Sequence, residues 1–137
     1  MRQIEELGEK EAALAMATIR EELGKRGKAA VLAVVDSHGE LLSLMRMDGA
    51  PVQSVLVVMN KALTAARERS ATGELGKRFK ENGWQMANSD PRFTGWDGGL
   101  PVLHSGQVVG AVAVSGLSQE EDAEIARIGA ARIVESF

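Results

Sequence analysis

Residues 100–115, LPVLHSGQVVGAVAVS, hold two apolar runs separated by Ser105-Gly106. Each run is short, valine- or leucine-rich and bounded by turn residues, which is the pattern of a strand. A Ser-Gly pair suits a two-residue hairpin turn, because such turns need backbone at positive φ. Residues 100–104 and 107–115 are therefore expected to be neighbouring antiparallel strands. Gly110, Ala111 and Ala113 give the second run little side-chain bulk, so other backbone can come close to it.

Working outward, residues 29–35 form a continuous valine-rich run, which reads as a strand buried on both faces. Asp36-Ser37-His38-Gly39 is a turn, and residues 41–47 return as a second strand, giving another hairpin. Residues 4–25 carry apolar side chains at helical spacing, with Gly27 as the stop. After Asp48-Gly49-Ala50-Pro51 a helix is expected over 52–70. Its apolar face is Val55, Leu56, Val58, Met59, Ala62, Leu63, Ala65 and Ala66, with Lys61 on the polar arc close to Ser54. Thr72 is placed to cap a shorter helix through about residue 80. Residues 82–99 read as an irregular loop. Ser118-Gln119-Glu120-Glu121 matches a capping box that opens a last helix reaching about residue 135. Two hairpins interleaved with helices predict an α/β (α+β) fold, an antiparallel sheet flanked by helices, as one domain over residues 1–137.

Composition narrows the chemistry. The chain has 137 residues, a net charge of -3 and no cysteine. The charge gives no reason to expect nucleic acid or an anionic membrane as a partner. Disulfides, thiolate catalysis and cysteine-held metals are excluded. With 2 histidines, a histidine-rich metal site is not expected and no metal ligands are assigned. No apolar run is long enough to span a bilayer, and the polar start lacks the apolar stretch of a secretory leader, so a cytoplasmic protein is expected.

Several segments in series resemble the GlcG/HbpS-like, or haem-degrading domain, family, to which the C-terminal domain of PduO-type proteins is similar. They are Ala33-Val34-Val35-Asp36 with Gly39, Arg46-Met47-Asp48-Gly49-Ala50, Lys61-Ala62-Leu63-Thr64-Ala65 and Thr72. Gly98-Gly99-Leu100-Pro101 and the run from Val109 to Gly116, followed by Asp122, complete the series. Ala113 stands where the family often has glycine, and residues 84–97 match poorly. The resemblance implies a profilin-like fold and self-assembly as a dimer or dimer-based homo-oligomer. It also implies a small-molecule ligand, with haem the leading cofactor.

Within that frame Arg46, Asp48, Lys61, Trp96, Gly98 and Gly99 are the candidate ligand-binding residues. A planar acid needs an apolar slot and a cation at its edge, which Arg46 or Lys61 would supply. Periodicity alone reads Lys61 as an ordinary solvated lysine, and its replacement by methionine as harmless to the fold. Arg46 is read in phase with Leu42 and Leu44, and Asp48 is free to pair with it or to cap the next helix. Gly98-Gly99 permits close approach of a ligand, or only a turn into a strand. Trp84, Phe93 and Trp96 are candidate walls for a flat ligand, or packing in a loop or subunit interface. His38 and His104 are read as hairpin residues, and Ser115 as a strand end. The alternatives are an enzyme acting on a small oxygenated metabolite, with Lys61 or Asp36 in acid–base work, and an oligomeric accessory protein.

Overall fold

The structure is a computed structural model that describes residues 1–83 and 90–137. Its elements run α1 (Glu9–Arg26), β1 (Val31–Asp36), β2 (Leu41–Arg46), α2 (Ser54–Glu68), α3 (Thr72–Asn82), β3 (Gly99–His104), β4 (Gln107–Ser115) and α4 (Gln119–Glu135). The two hairpins join through β1 and β4 into a 4-stranded sheet of order β2-β1-β4-β3, antiparallel throughout. The α/β fold expected from the sequence is the fold observed.

The sheet separates two cores, and the alternation of strand side chains makes the division. Leu32, Val34, Val112 and Val114 meet Ile19 and Leu23 of α1 and Ile125 and Ile133 of α4 on one face. Val31, Ala33, Val35, Ala111 and Ala113 meet Val58, Ala62, Ala65 and Ala66 of α2 on the other. The register of β2 shifts between its partners Val34 and Val35. As a result Leu42 packs in the valine layer while Leu44 packs against α2. Leu42 and Leu44 therefore do not share a face, because the irregularity interrupts strict alternation.

Three element boundaries differ from expectation. α1 begins at Glu9, because Gly8 stays extended with its N–H bonded to the Glu11 carboxylate at 3.0 Å. Just before it, the Leu7 N–H is drawn onto the Val109 carbonyl at 2.9 Å. α2 occupies 54–68, preceded by a turn in which the Ser54 N–H bonds the Pro51 carbonyl at 3.1 Å. Thr72 is not a cap. Ala71 holds that position, and the Thr72 hydroxyl instead accepts the Gly99 N–H at 3.0 Å and donates to the Gly99 carbonyl at 3.4 Å. The first turn of α3 is thereby tied to the start of β3.

α4 starts as its sequence predicts, with one difference. The Ser118 hydroxyl accepts the Glu121 N–H at 3.1 Å. The Glu121 carboxylate does not return to Ser118 but takes Lys28 at 2.6 Å and Arg26 at 3.3 Å. Arg26 also holds Glu124 at 2.7 Å, so the end of α1 is bound to the first turns of α4. Hydrogen bonds from Lys28 and Arg26 hold Glu121 below the usual carboxylate range, and Arg26 does the same for Glu124. With half of the box present, Ser118→Ala is expected to cost ~1 kcal/mol. An unchanged denaturation midpoint at unchanged slope would show that this cap contributes nothing.

Candidate functional site

Lys61 is where sequence and structure part most sharply. It is 2% exposed, in the middle of the α2 face that meets the sheet. The buried positions Ser54, Val58, Lys61, Ala62 and Ala65 follow one helical stripe, at intervals of four, seven, eight and eleven residues. Leu56 and Met59, assigned to the apolar face from sequence, are instead 64% and 38% exposed. The helix is thus turned so that Ala62, Ala65 and Ala66, with Val58, face the alanines of β1 and β4, leaving Leu56 and Met59 outside.

The lysine amine is held from two sides. It donates to the Asp122 carboxylate at 2.9 Å and to the Val114 carbonyl at 3.0 Å. Asp122, 2% exposed, also accepts the Leu117 N–H at 3.0 Å through its other oxygen. Burial pushes the Asp122 carboxyl above the ordinary range, and the Lys61 charge opposes that rise. Sequence reasoning noted Asp122 only as part of a motif. An acid in the first turn of a helix has an ordinary dipole role, and only the tertiary fold shows its lysine.

The glycine pair lies against this ion pair. A Cβ on Gly98 would stand 2.6 Å from the Val114 carbonyl oxygen and 2.9 Å from the Lys61 amine. One on Gly99 would stand 2.5 Å from the Lys61 carbonyl oxygen. The close approach that these glycines permit is therefore that of α2 and its buried lysine.

A cleft of about 420 Å³ opens above Lys61 and Asp122, where α2 and α4 begin. Pro51, Val57, Leu117 and Trp96 give it apolar surface, and Ser54 and Ser115 add hydroxyls. These serines are 6% and 4% exposed, yet neither hydroxyl makes a hydrogen bond. Neither is sealed from solvent, since no fully buried side-chain polar atom among the described residues lacks a partner. Trp96 is 59% exposed on a loop anchored by the Thr94 N–H on the Thr64 hydroxyl at 3.1 Å.

The remaining candidates lie elsewhere. Arg46 is exposed at the end of β2 and makes no side-chain hydrogen bond or ion pair. It pairs with Val31, which pairs with Ser115, so it stands two strands, roughly 10 Å, from the cleft. Asp48 is exposed in the turn closed by the Ala50 N–H on Met47; it neither pairs with Arg46 nor caps α2, whose cap position is Gln53. Phe93 is half-buried and does not line the cleft, and Trp84 lies outside the described residues. Asp36 accepts the N–H groups of His38 at 2.9 Å and Glu40 at 3.0 Å. It ends β1 five residues beyond Val31, roughly 17 Å away along the strand, so it shares no site with Lys61.

His38 bonds Glu6 at 2.7 Å, and ligand atoms of Glu6, Asp36 and His38 lie within 4.8 Å of one another. A broader cleft of about 640 Å³ adjoins them, with Arg2 and Arg69 in its lining. His104 bonds Glu5 at 3.0 Å and lies against Phe137, with ring centroids 4.5 Å apart.

Helices on both faces of an antiparallel sheet, with a cleft at the helix starts, define a mixed α/β sandwich. The chain belongs to the HbpS-like family, whose model, described as haem degrading protein HbpS-like, matches residues 7–131. It is 37% identical over 112 residues to protein GlcG of Escherichia coli K12, covering 80% of this chain and 81% of that one. Among solved structures, a double mutant of Streptomyces reticuli HbpS superposes with a TM-score of 0.88 at 33% identity, covering 96% of this chain and 89% of that one. A PduOC–heme complex shares the fold, with a TM-score of 0.85 at 24% identity and coverage of 93% and 94%. No helix among the described residues is long and apolar enough to cross a membrane.

Proposed function

We propose that this chain binds a flat small molecule, with haem the leading candidate, in the cleft above Lys61. One observation carries the reading. The cleft combines an exposed indole with two serine hydroxyls that make no hydrogen bond within the protein and stay open to the cleft. Such hydroxyls are open to solvent, and a ligand oxygen entering the cleft can take the place of the water they would otherwise bond.

The lining residues fit haem in part. Trp96, Val57, Leu117 and Pro51 offer surface for a porphyrin face. The Lys61 charge is already matched by Asp122, so a carboxylate at the ligand's edge would need to reach out to Arg46, two strands or roughly 10 Å from the cleft. No histidine lines this cleft. A specific observation therefore favours a second location. His38, with Glu6 on its Nδ1, leaves Nε2 available beside Arg2 and Arg69. A ring nitrogen oriented by a carboxylate is a common iron ligand.

Hemin titration followed by the Soret band tests both. Trp96→Ala is expected to weaken binding about tenfold, the loss of a ring contact worth ~1.4 kcal/mol. His38→Ala is expected to leave it unchanged. The reverse pattern would move the ligand to the His38 cleft, and no binding by the parent protein would remove haem. Self-association belongs to the same proposal. The exposed ridge of Val52, Leu56 and Met59 on and just before α2 gives a surface for it. Light scattering is expected to return more than the 14.6 kDa of one chain.

A further inference from the structure

We infer that Lys61 is a carbonyl-condensing lysine, whose amine forms an imine with a small unhindered aldehyde while Asp122 carries the proton. The inference rests on the cleft being open to ligand, as in the reading above, but does not require haem. Four features meet at one point. The amine is buried beside a carboxylate at 2.9 Å. Its two protein acceptors leave one of its three N–H positions without a protein partner. It borders an accessible cleft. The unpartnered hydroxyls of Ser54 and Ser115 line that same cleft.

The charges select the ligand. Lys61 and Asp122 together are neutral, so the floor of the cleft offers an anion no net attraction to offset the cost of its desolvation. A neutral carbonyl meets no such penalty and can accept from a serine hydroxyl, which polarises it. Burial disfavours two full charges and lowers the cost of passing one proton from the Lys61 ammonium to Asp122. The upward push on the Asp122 carboxyl acts in the same direction.

The step balances without an oxidant or reductant. The neutral amine attacks the carbonyl carbon, the C–N bond forms, and the oxygen receives the proton that nitrogen gives up. The Asp122 carboxyl then protonates the resulting hydroxyl, the C–O bond breaks and water leaves. An iminium remains beside the Asp122 carboxylate, restoring the original pair of charges. Dilute amines in water are protonated near neutral pH and react slowly, whereas a lysine with a proton acceptor at hand is activated.

The test treats the native protein with acetaldehyde and cyanoborohydride near neutral pH and locates N-ethyl-lysine by peptide mass spectrometry. Lys61 is expected to label about tenfold or more faster than exposed Lys25, and to lose that advantage in guanidinium. Ser115→Ala, which leaves the ion pair in place, is expected to slow Lys61 severalfold. Labelling of Lys61 only after unfolding would overturn the inference and leave the pair purely structural, and so would native labelling no faster than Lys25. Hemin titration of the same preparation keeps the two ideas apart. Hemin binding with a protected Lys61 sinks only the imine, and rapid labelling without hemin binding sinks only haem.

Discussion

Asp122→Asn is expected to lower the unfolding free energy by roughly 3–5 kcal/mol, the usual loss when one member of a buried ion pair is removed. The amide can still accept the Leu117 N–H, so the local turn keeps its bond. Lys61 would remain 2% exposed without its carboxylate partner, with the Val114 carbonyl as its other acceptor. Lys61→Met should be comparably costly, because it strands the carboxylate. This corrects the expectation that methionine would spare the fold. A ligand-binding test built on that variant alone would confuse lost contact with lost folding. The double variant Lys61→Met/Asp122→Asn is expected to return to within ~1–2 kcal/mol of the parent, since replacing both charges removes the desolvation cost along with the attraction. Urea denaturation of the four proteins measures this, and single variants within about 1 kcal/mol of the parent would contradict it. The pair also has a pH signature. Burial raises the Asp122 carboxyl, so the folded chain holds that proton more tightly than the unfolded chain. This contribution is full below the ordinary carboxylate range and declines as pH rises through the raised value. Glu121 and Glu124, both held low, contribute in the opposite sense and lose their share in acid.

Gly98→Ala is expected to destabilise by about 3 kcal/mol or more, from backbone strain and overpacking together. Gly98 has φ of 121°, where a side chain is strained whatever the space around it. Its new methyl would also meet the Val114 carbonyl at 2.6 Å and the Asp122 Cβ at 2.9 Å. The Val114 carbonyl cannot retreat cheaply. It holds Lys61, and the Val114 N–H is bonded to Gly98 itself at 3.0 Å. Gly106 is the internal control, with φ of 77° but nothing within 4 Å of an added Cβ. Gly106→Ala should therefore show the conformational cost alone, about 1 kcal/mol. Equal denaturation midpoints for the two variants would mean that the ground beneath Lys61 is not crowded.

The hairpins, their turns and the start of α4 were legible because each depends on local chemistry. Ser105 and Gly106 take positive φ as a two-residue turn requires, and Ser118 caps where its motif places it. The candidate site was legible only in pieces. Lys61, Gly98 and Trp96 were named, but the reason for their proximity is the way α2 rolls on the sheet. A helical wheel of apolar residues put Leu56 and Met59 inward on one broad face, whereas the alanine layer of β1 and β4 selects small partners. The stripe Ser54, Val58, Lys61, Ala62, Ala65 was visible in the sequence and would have turned the helix correctly. Nothing local marks Asp122 as the lysine's partner across 61 residues of chain.

The alanine layer under α2 has a consequence for how such a chain can change over time. On the α1 and α4 side, valine, leucine and isoleucine can trade volume with one another and the layer can re-knit. On the α2 side there is less volume to trade, since Ala33, Ala111 and Ala113 lie with Ala62, Ala65 and Ala66 among only three buried valines, and Gly99 abuts the Lys61 backbone. Any enlargement there lifts the helix and carries the lysine away from its carboxylate. Changes to the shape of the cleft are then tolerated best at its lip, at Gln53, Val57, Trp96 and Gln119. The cleft can in this way be reshaped without disturbing the lysine beneath it.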